Sequence, residues 1–305
     1  MTRNNRVSAV IPTRYRPDLV LRAVRSALAQ SYADLEVLVV IDGPDAATSN
    51  ALATIREDRL RVIALPRSLG AASARNIGVD AAQGDWIAFL DDDDEWLPDK
   101  TTLQMERARN SVFPYPIVSS QLFLRGPKYD LIWPRKPPFE PLSEYLLARN
   151  SWSFGDGVLS TITLFFPKDL FRIVPFTSGL RRYQDQDWVL RASREGGAGI
   201  EFIPRPLAVA YQDETRASIT TVPDWRTSAN WIESVRGTIT ARAYASFLAT
   251  TVASQAARQG DWSAWPLLLR TILGSGAPNV RDLIYFLGIW FLPRELYLAV
   301  RKAGW

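Results

Sequence analysis

Three apolar runs, Val7 to Ile11, Leu35 to Ile41 and Trp86 to Leu90, are followed closely by polar or acidic residues. Helix-patterned segments separate them. This alternation constrains the fold more than any other feature of the chain. Apolar residues at Leu19, Val20, Ala23, Val24, Ala27 and Leu28 recur at helical spacing, behind Pro17 and Asp18. The run at Leu35 to Ile41 reads as a strand buried on both faces, stopped by Asp42, Gly43 and Pro44. Leu60 to Leu65 reads as a further strand and Ala71 to Ala82 as a helix of small residues. A β-α-β-α order of this kind predicts a mostly parallel sheet with helices on both faces. Ligands of such sheets sit outside the carboxyl ends of the strands. Thr13, Asp42 and Asp91 each follow a strand, so the three are expected to share one crevice.

The chemistry available there is narrow. The 305 residues contain no cysteine and no histidine. Thiol nucleophiles, thiolate metal sites, disulfides and histidine-dependent triads are therefore excluded. Acid–base work falls to Asp, Glu, Lys or Tyr, and a metal site must use oxygen ligands, which suits magnesium, manganese or calcium. A net charge of +4, spread along the chain, fits an anionic ligand or membrane surface and does not single out nucleic acid.

Asp91, Asp92, Asp93 and Asp94 end the strand at Trp86 to Leu90. Adjacent carboxylates repel unless a cation or strong solvation offsets them. In extended backbone Asp91 and Asp93 point to the same side. They are placed to hold one divalent cation, and through it a diphosphate. A solvated acidic turn leading into a helix is the plainer alternative.

The blocks Val7 to Thr13, Ala29 to Tyr32, Glu36 to Gly43, Ala72 to Gly78 and Gly84 to Trp96 together resemble the family 2 glycosyltransferases. The resemblance implies a GT-A fold: an α/β, Rossmann-like, mixed and mostly parallel sheet with flanking helices. It implies inverting transfer from a nucleotide-sugar donor of UDP, dTDP or GDP type, with Mn2+ or Mg2+ as cofactor. Pro12, Thr13 and Asp42 then contact the nucleoside, Arg75 contacts the donor, and Asp91 and Asp92 belong to the donor site. Asp93, with Asp91, is the metal ligand. One departure is Ile41, where the family often carries a second acid before the glycine.

Farther along, Arg181 to Arg191 contains Gln184-Asp185-Gln186-Asp187-Trp188, resembling the family's acid-before-aromatic motif. The resemblance makes Asp187 the general base, with Asp185 the alternative. Capping of the helix Tyr183 to Arg194 is the plainer role for both. Trp152 to Gly157 is an aromatic loop, suited to a sugar face or to a core.

Domain boundaries are expected at 1–215 for the catalytic part, divided into a donor half (1–110) and an acceptor half (111–215), and at 216–305 for a C-terminal helical region. Residues 111–150, rich in proline, read as irregular structure carrying a strand or two. Ser160 to Phe166, Ile200 to Ile203 and Leu207 to Tyr211 read as short strands. The helices are placed at 226–259, 262–273 and 280–302. Apolar stretches there carry Trp262 and Trp265 and are flanked by Arg270, Arg281, Arg294, Arg301 and Lys302. They are short for a membrane span. They suit either the surface of an anionic membrane or a protein contact. With a short polar N-terminus, this places the protein in the cytoplasm, peripheral to the inner face of the cell membrane.

The expected activity is metal-dependent sugar transfer to a hydroxyl acceptor, a saccharide or lipid-linked saccharide, in cell-surface polysaccharide or glycolipid synthesis. A catalytically silent nucleotide-sugar or glycan-binding subunit is the alternative. No glycine-rich dinucleotide or P-loop signature and no G-x-S-x-G elbow occurs.

Overall fold

Val7–Thr13 forms a strand, β1, and every residue in it is buried. A computed structural model describes residues 4–126, 130–152, 156–212 and 223–292. After β1 come α1 (Pro17–Leu28), β2 (Leu35–Ile41), α2 (Ala46–Leu52), β3 (Leu60–Ala64), α3 (Ala71–Ala81) and β4 (Trp86–Phe89). β5 (Glu95–Trp96), α4 (Lys100–Arg109), β6 (Pro116–Arg125), β7 (Asp130–Trp133) and α5 (Leu142–Leu147) follow. Next are β8 (Phe165–Pro167), α6 (Lys168–Ile173), α7 (Gln184–Glu195) and β9 (Gly199–Tyr211). The last helices are α8 (Trp225–Ser234), α9 (Ala241–Phe247), α10 (Ala253–Arg258), α11 (Ala264–Ser275) and α12 (Val280–Phe291).

The chain divides into two compact units. The first comprises Met1–Pro134 and Leu159–Thr215, the second Arg135–Val158 and Arg216–Trp305. Residues 135–158, placed with the catalytic part on sequence alone, thus group with the C-terminal helices. Long-range contacts are the cause: Glu144 of α5 pairs with Arg242 of α9, and Arg149 donates its backbone N–H to Ser246 at 2.8 Å.

In the first unit the sheet runs β3-β2-β1-β4-β8-β6-β9-β5, with β7 on β6. β1, β2, β3 and β4 are mutually parallel, while β8 is antiparallel to β4 and β6. The expected α/β class with a mixed, mostly parallel sheet is therefore present. β1 lies between β2 and β4, so the winding reverses at β1 and β4 and opens a crevice there. Helix α3 approaches closely because Gly78 has no side chain: a Cβ there would lie 2.4 Å from Val10 Cγ1. Glu36 is the polar exception inside β2. It is buried and accepts from Ser8 Oγ at 2.6 Å, Gln83 N at 2.6 Å and Arg61 Nη1 at 3.1 Å, far from the carboxyl ends.

Several expectations need correction. Ser160 to Phe166 is not one strand: Thr161–Thr163 is a 3-10 turn and β8 begins at Phe165. The two short strands expected near 200 and 210 are one, β9, whose prolines fall at irregularities in its pairing with β6. The acidic run does not lead straight into a helix, and Glu95 follows it as a strand residue. It pairs with Val209 in β5, and α4 starts at Lys100.

In the second unit, the helix expected over 226–259 breaks between Ser234 and Thr240, and a π-helical turn at Leu248–Val252 precedes α10. The helix expected over 280–302 is described as far as Phe291, and its remainder lies outside the described residues. Trp152 belongs to this unit and its ring lies tilted 5.4 Å from that of Tyr285, while residues 153–155 of the aromatic loop also lie outside the described residues. Among the described residues no helix is long and apolar enough to cross a membrane.

Candidate active site

The crevice is built where β1 and β4 end. Thr13, the last residue of β1, donates through Oγ1 to Asp92 Oδ2 at 2.7 Å. Arg16 donates through Nη1 to Asp92 Oδ1 at 2.8 Å and to Asp93 Oδ2 at 2.9 Å. Burial pushes the Asp92 carboxyl up, against the pull of Arg16 and Thr13. Asp92 therefore ties the strand ends together, and its two oxygens are already engaged. Asp91, Asp93 and Asp94 each offer a carboxylate oxygen, all within 4.8 Å of one another. Arg22 Nη2 donates to the Asp93 carbonyl at 2.5 Å, and Asp94 accepts from Tyr211 N at 3.1 Å. The acidic run is held from both sides by β9 and α1.

A second group lies at the ends of β2 and β3. Asp42 is buried and accepts from Ser68 Oγ at 2.7 Å, Leu69 N at 2.6 Å and Gly70 N at 3.0 Å. Ser68 Oγ in turn accepts from Arg14 Nη1 at 3.0 Å. Asp42 thus fixes the loop that opens α3. Gly43 makes the turn possible: its φ is 108°, and a Cβ would meet Ser68 N at 3.0 Å.

Tyr15 shares the loop after β1 with Arg14 and Arg16. Its φ is 56°, in the left-handed region, and its side chain is 62% exposed. The Arg14 guanidinium lies 5.0 Å from its ring centre. Asp45, which caps α2 by accepting from Thr48 N, also accepts from Tyr15 N at 2.6 Å and holds this conformation. A left-handed tyrosine costs about 1–2 kcal/mol. Tyr15→Asn is expected to stabilise the fold by up to about 1 kcal/mol, because asparagine tolerates this region. Urea denaturation checks this, and a loss of stability would show that the conformation is not strained.

Arg75 on α3 joins the two halves of the site. It is buried, pairs through Nη2 with Asp91, and donates through Nη1 to Gln184 Oε1 at 2.7 Å. Its Nε has no partner among the described residues. Gln184 opens α7, the helix of the downstream motif. Asn76 fixes the approach to that helix by pairing with both N–H and carbonyl of Phe176, at 3.1 and 3.0 Å. Trp188 is fully buried among Phe166, Phe171 and Phe176 and donates to the Val174 carbonyl at 2.7 Å.

The two acids of α7 differ. Asp187 Oδ2 accepts from Thr177 Oγ1 at 2.8 Å and from Arg191 Nε at 2.9 Å. Arg191 also holds the Pro175 carbonyl at 2.8 Å. Asp187 therefore locks the helix to the segment before it. The Asp185 carboxyl is pushed up to about 6, first by desolvation and also by Asp91, with Arg75 pulling the other way. The Asp185 carboxyl thus senses the acidic run.

Of the residues singled out in the sequence, Thr13, Arg75, Asp91, Asp92 and Asp93 come together, with Pro12 buried in the strand beneath them. Asp42 joins through Arg14 and Ser68. Arg16 and Tyr15 carry no sequence expectation, and Gln184 enters only as part of the downstream motif. The signal available was the basic–aromatic–basic run Arg14-Tyr15-Arg16, placed directly after a strand end.

The sheet order and the acidic run at its switch point define a class, the GT-A glycosyltransferase fold. The chain belongs to glycosyl transferase family 2, whose family model matches residues 8–172. It is 44% identical over 102 residues to the succinoglycan biosynthesis protein ExoO of Rhizobium meliloti (strain 1021), covering 33% of this chain and 29% of that one. It is 28% identical over 214 residues to the amylovoran biosynthesis glycosyltransferase AmsB of Erwinia amylovora, covering 66% and 68%. The crystal structure of S. aureus TarS 1-349 in complex with UDP-GlcNAc aligns with TM-score 0.62 and 15% identity, over 98% of this chain and 91% of that one. The relatives' names thus place them in polysaccharide biosynthesis, and the TarS likeness carries the fold.

Proposed function

We propose that the chain is an inverting, metal-dependent glycosyltransferase. It moves a sugar from a nucleotide-diphosphate sugar to a hydroxyl of a saccharide or lipid-linked saccharide, in cell-surface polysaccharide or glycolipid synthesis. One observation carries this reading: Arg75 bridges Asp91 of the acidic run to Gln184 at the start of the helix bearing Asp185. This contact supports a leaving-group site and a base lying side by side.

Asp91, Asp93 and Asp94 fit a hard divalent cation, manganese or magnesium, since all three offer oxygen and lie close together. When bound, the cation supplies charge stabilisation for the departing nucleoside diphosphate. Arg75 adds to that stabilisation, from a buried position where charge acts strongly. Asp185 takes the proton from the acceptor hydroxyl as its oxygen attacks the anomeric carbon opposite the leaving group, which inverts that centre. Asp187, the first choice on sequence, positions α7 through Arg191 and Thr177 instead. Thr13 and Asp42 shape the nucleoside end, where the exposed ring of Tyr15 offers a face to the base. The same reading places the protein at the cytoplasmic face of the membrane.

A donor panel of UDP-, dTDP- and GDP-sugars, each with and without manganese, tests the reading. One base is expected to raise the melting temperature by several degrees at saturating ligand. Nucleoside diphosphate release from that donor is expected to need the metal. Binding without turnover toward any saccharide acceptor would favour the silent binding subunit. If no nucleotide binds, the assignment of the crevice fails.

A further inference from the structure

Helix α12 is apolar on the side that faces outward. Val280, Ile284, Leu287 and Phe291 recur at one-face spacing and are 74%, 50%, 48% and 59% exposed. The opposite side is apolar as well, with Phe286 and Trp290 buried. A surface helix normally turns charge outward, and this one does not. The patch continues beyond the helix: Trp262, 58% exposed, lies 6.1 Å from the Phe291 ring, and Trp265 lies 5.7 Å from it. On α11, Leu267 and Leu273 are exposed on either side of Arg270 in one stripe.

Among the described residues of α11 and α12 the charged side chains are Arg270, Arg281 and Asp282. Asp282 is fully buried in the capping box of α12 with Asn279. Exposed aliphatics, tryptophans at the edge of the patch and arginines beside them match the layered polarity of a bilayer interface. A protein partner that buried the stripe would have to cover Arg270 and supply an acid for it. Anionic headgroups supply that charge without further design.

We propose that the α11–α12 face docks on an anionic lipid surface, with Ile284, Leu287 and Phe291 entering the headgroup boundary and Arg270 meeting lipid phosphate. The surface stands apart from the transferase reading. Its use, on an acceptor carried by a lipid, rests on that reading.

The full chain is mixed with vesicles of phosphatidylcholine alone, or with a third of phosphatidylglycerol, and sedimented without donor or acceptor. Binding is expected to the anionic vesicles and to fall as salt rises. Ile284→Glu with Leu287→Glu is expected to weaken partition by on the order of ten-fold or more. Arg270→Glu is expected to weaken it less, and chiefly at low salt. Both substituted positions are half-exposed, so the melting temperature and nucleotide binding should match the unsubstituted chain, which separates lost docking from lost folding. The proposal is overturned if the unsubstituted chain ignores anionic vesicles or if the double variant binds them equally. It is also overturned if the unsubstituted chain is a dimer that the double variant splits, since a second copy then covers the face. Failure of the donor panel would leave the vesicle result standing, and the reverse also holds.

Discussion

Asp185→Asn is expected to slow sugar transfer by on the order of 10²–10⁴-fold, the usual contribution of a positioned base. The same change is expected to leave the fold no less stable, and the reason lies in the carboxyl's surroundings. Desolvation raises its pKa to about 6 from an ordinary value of 3.8. Between those two values the folded state binds more protons than the unfolded one, so stability falls as pH rises through this window and is flat above it. Holding the carboxylate ionised at neutral pH thus costs about 1–3 kcal/mol. Asparagine keeps the shape and removes the cost. Catalysis runs the other way: kcat is expected to climb as pH rises through about 6, as the base ionises. Asp185→Asn should abolish that slope together with the stability slope.

Asp187→Asn gives the contrasting result. It loses the charged bond from Arg191 and weakens the grip on Thr177, both made inside a buried site. A stability loss of about 1–3 kcal/mol is expected. Any drop in kcat should come with the pH midpoint near 6 retained. If Asp187→Asn removes the midpoint and Asp185→Asn keeps it, the roles are exchanged.

The part of this that sequence made legible has a common cause. β1, β2 and β4 are buried on both faces, so their apolar runs had to be written without interruption, and the residues following them marked the crevice. The resemblance added Arg75, Asp91 and Asp93. The choice between Asp185 and Asp187 was not legible, because both suit the first turn of a helix. Only the placement of Arg191, Thr177 and Arg75 in space separates the carboxylate that holds the segment before α7 from the one coupled to the acidic run. β9 was read as two strands because Pro204 and Pro206 interrupt it, and β6 accommodates them by shifting register. The grouping of residues 135–158 with the C-terminal helices has a related reason: Glu144 meets Arg242 across almost a hundred residues, and a pairing at that range leaves no local pattern. Arg16 was passed over because it stands before Pro17 and reads as a helix entry, though it binds two aspartates of the run.

Asp93→Ala is the second large effect. It is expected to lower donor turnover by on the order of 10²–10³-fold, the scale of several kcal/mol of leaving-group stabilisation. The manganese-dependent part of the donor's thermal shift should vanish with it. Asp93 is suited to this test because its removal leaves little damage: Arg16 keeps Asp92 at 2.8 Å, and Asp92 keeps Thr13 at 2.7 Å. Asp92→Ala should behave differently. Asp92 is buried and joins β1 to β4, so its loss removes the partner of Thr13 Oγ1, leaves Arg16 with Asp93 alone, and is expected to cost about 1–3 kcal/mol of stability. The two neighbours therefore separate by readout, turnover for Asp93 and denaturation midpoint for Asp92. Arg16 and Arg75 pair with three of the four carboxylates of the run and offset their mutual repulsion. They also set a limit on metal affinity, since a cation must share Asp91 and Asp93 with them. Asp93→Asn, which keeps an oxygen but loses the charge, is expected to fall between the native protein and Asp93→Ala. Nucleoside diphosphate release that is unchanged in Asp93→Ala would exclude the acidic run from the leaving-group site.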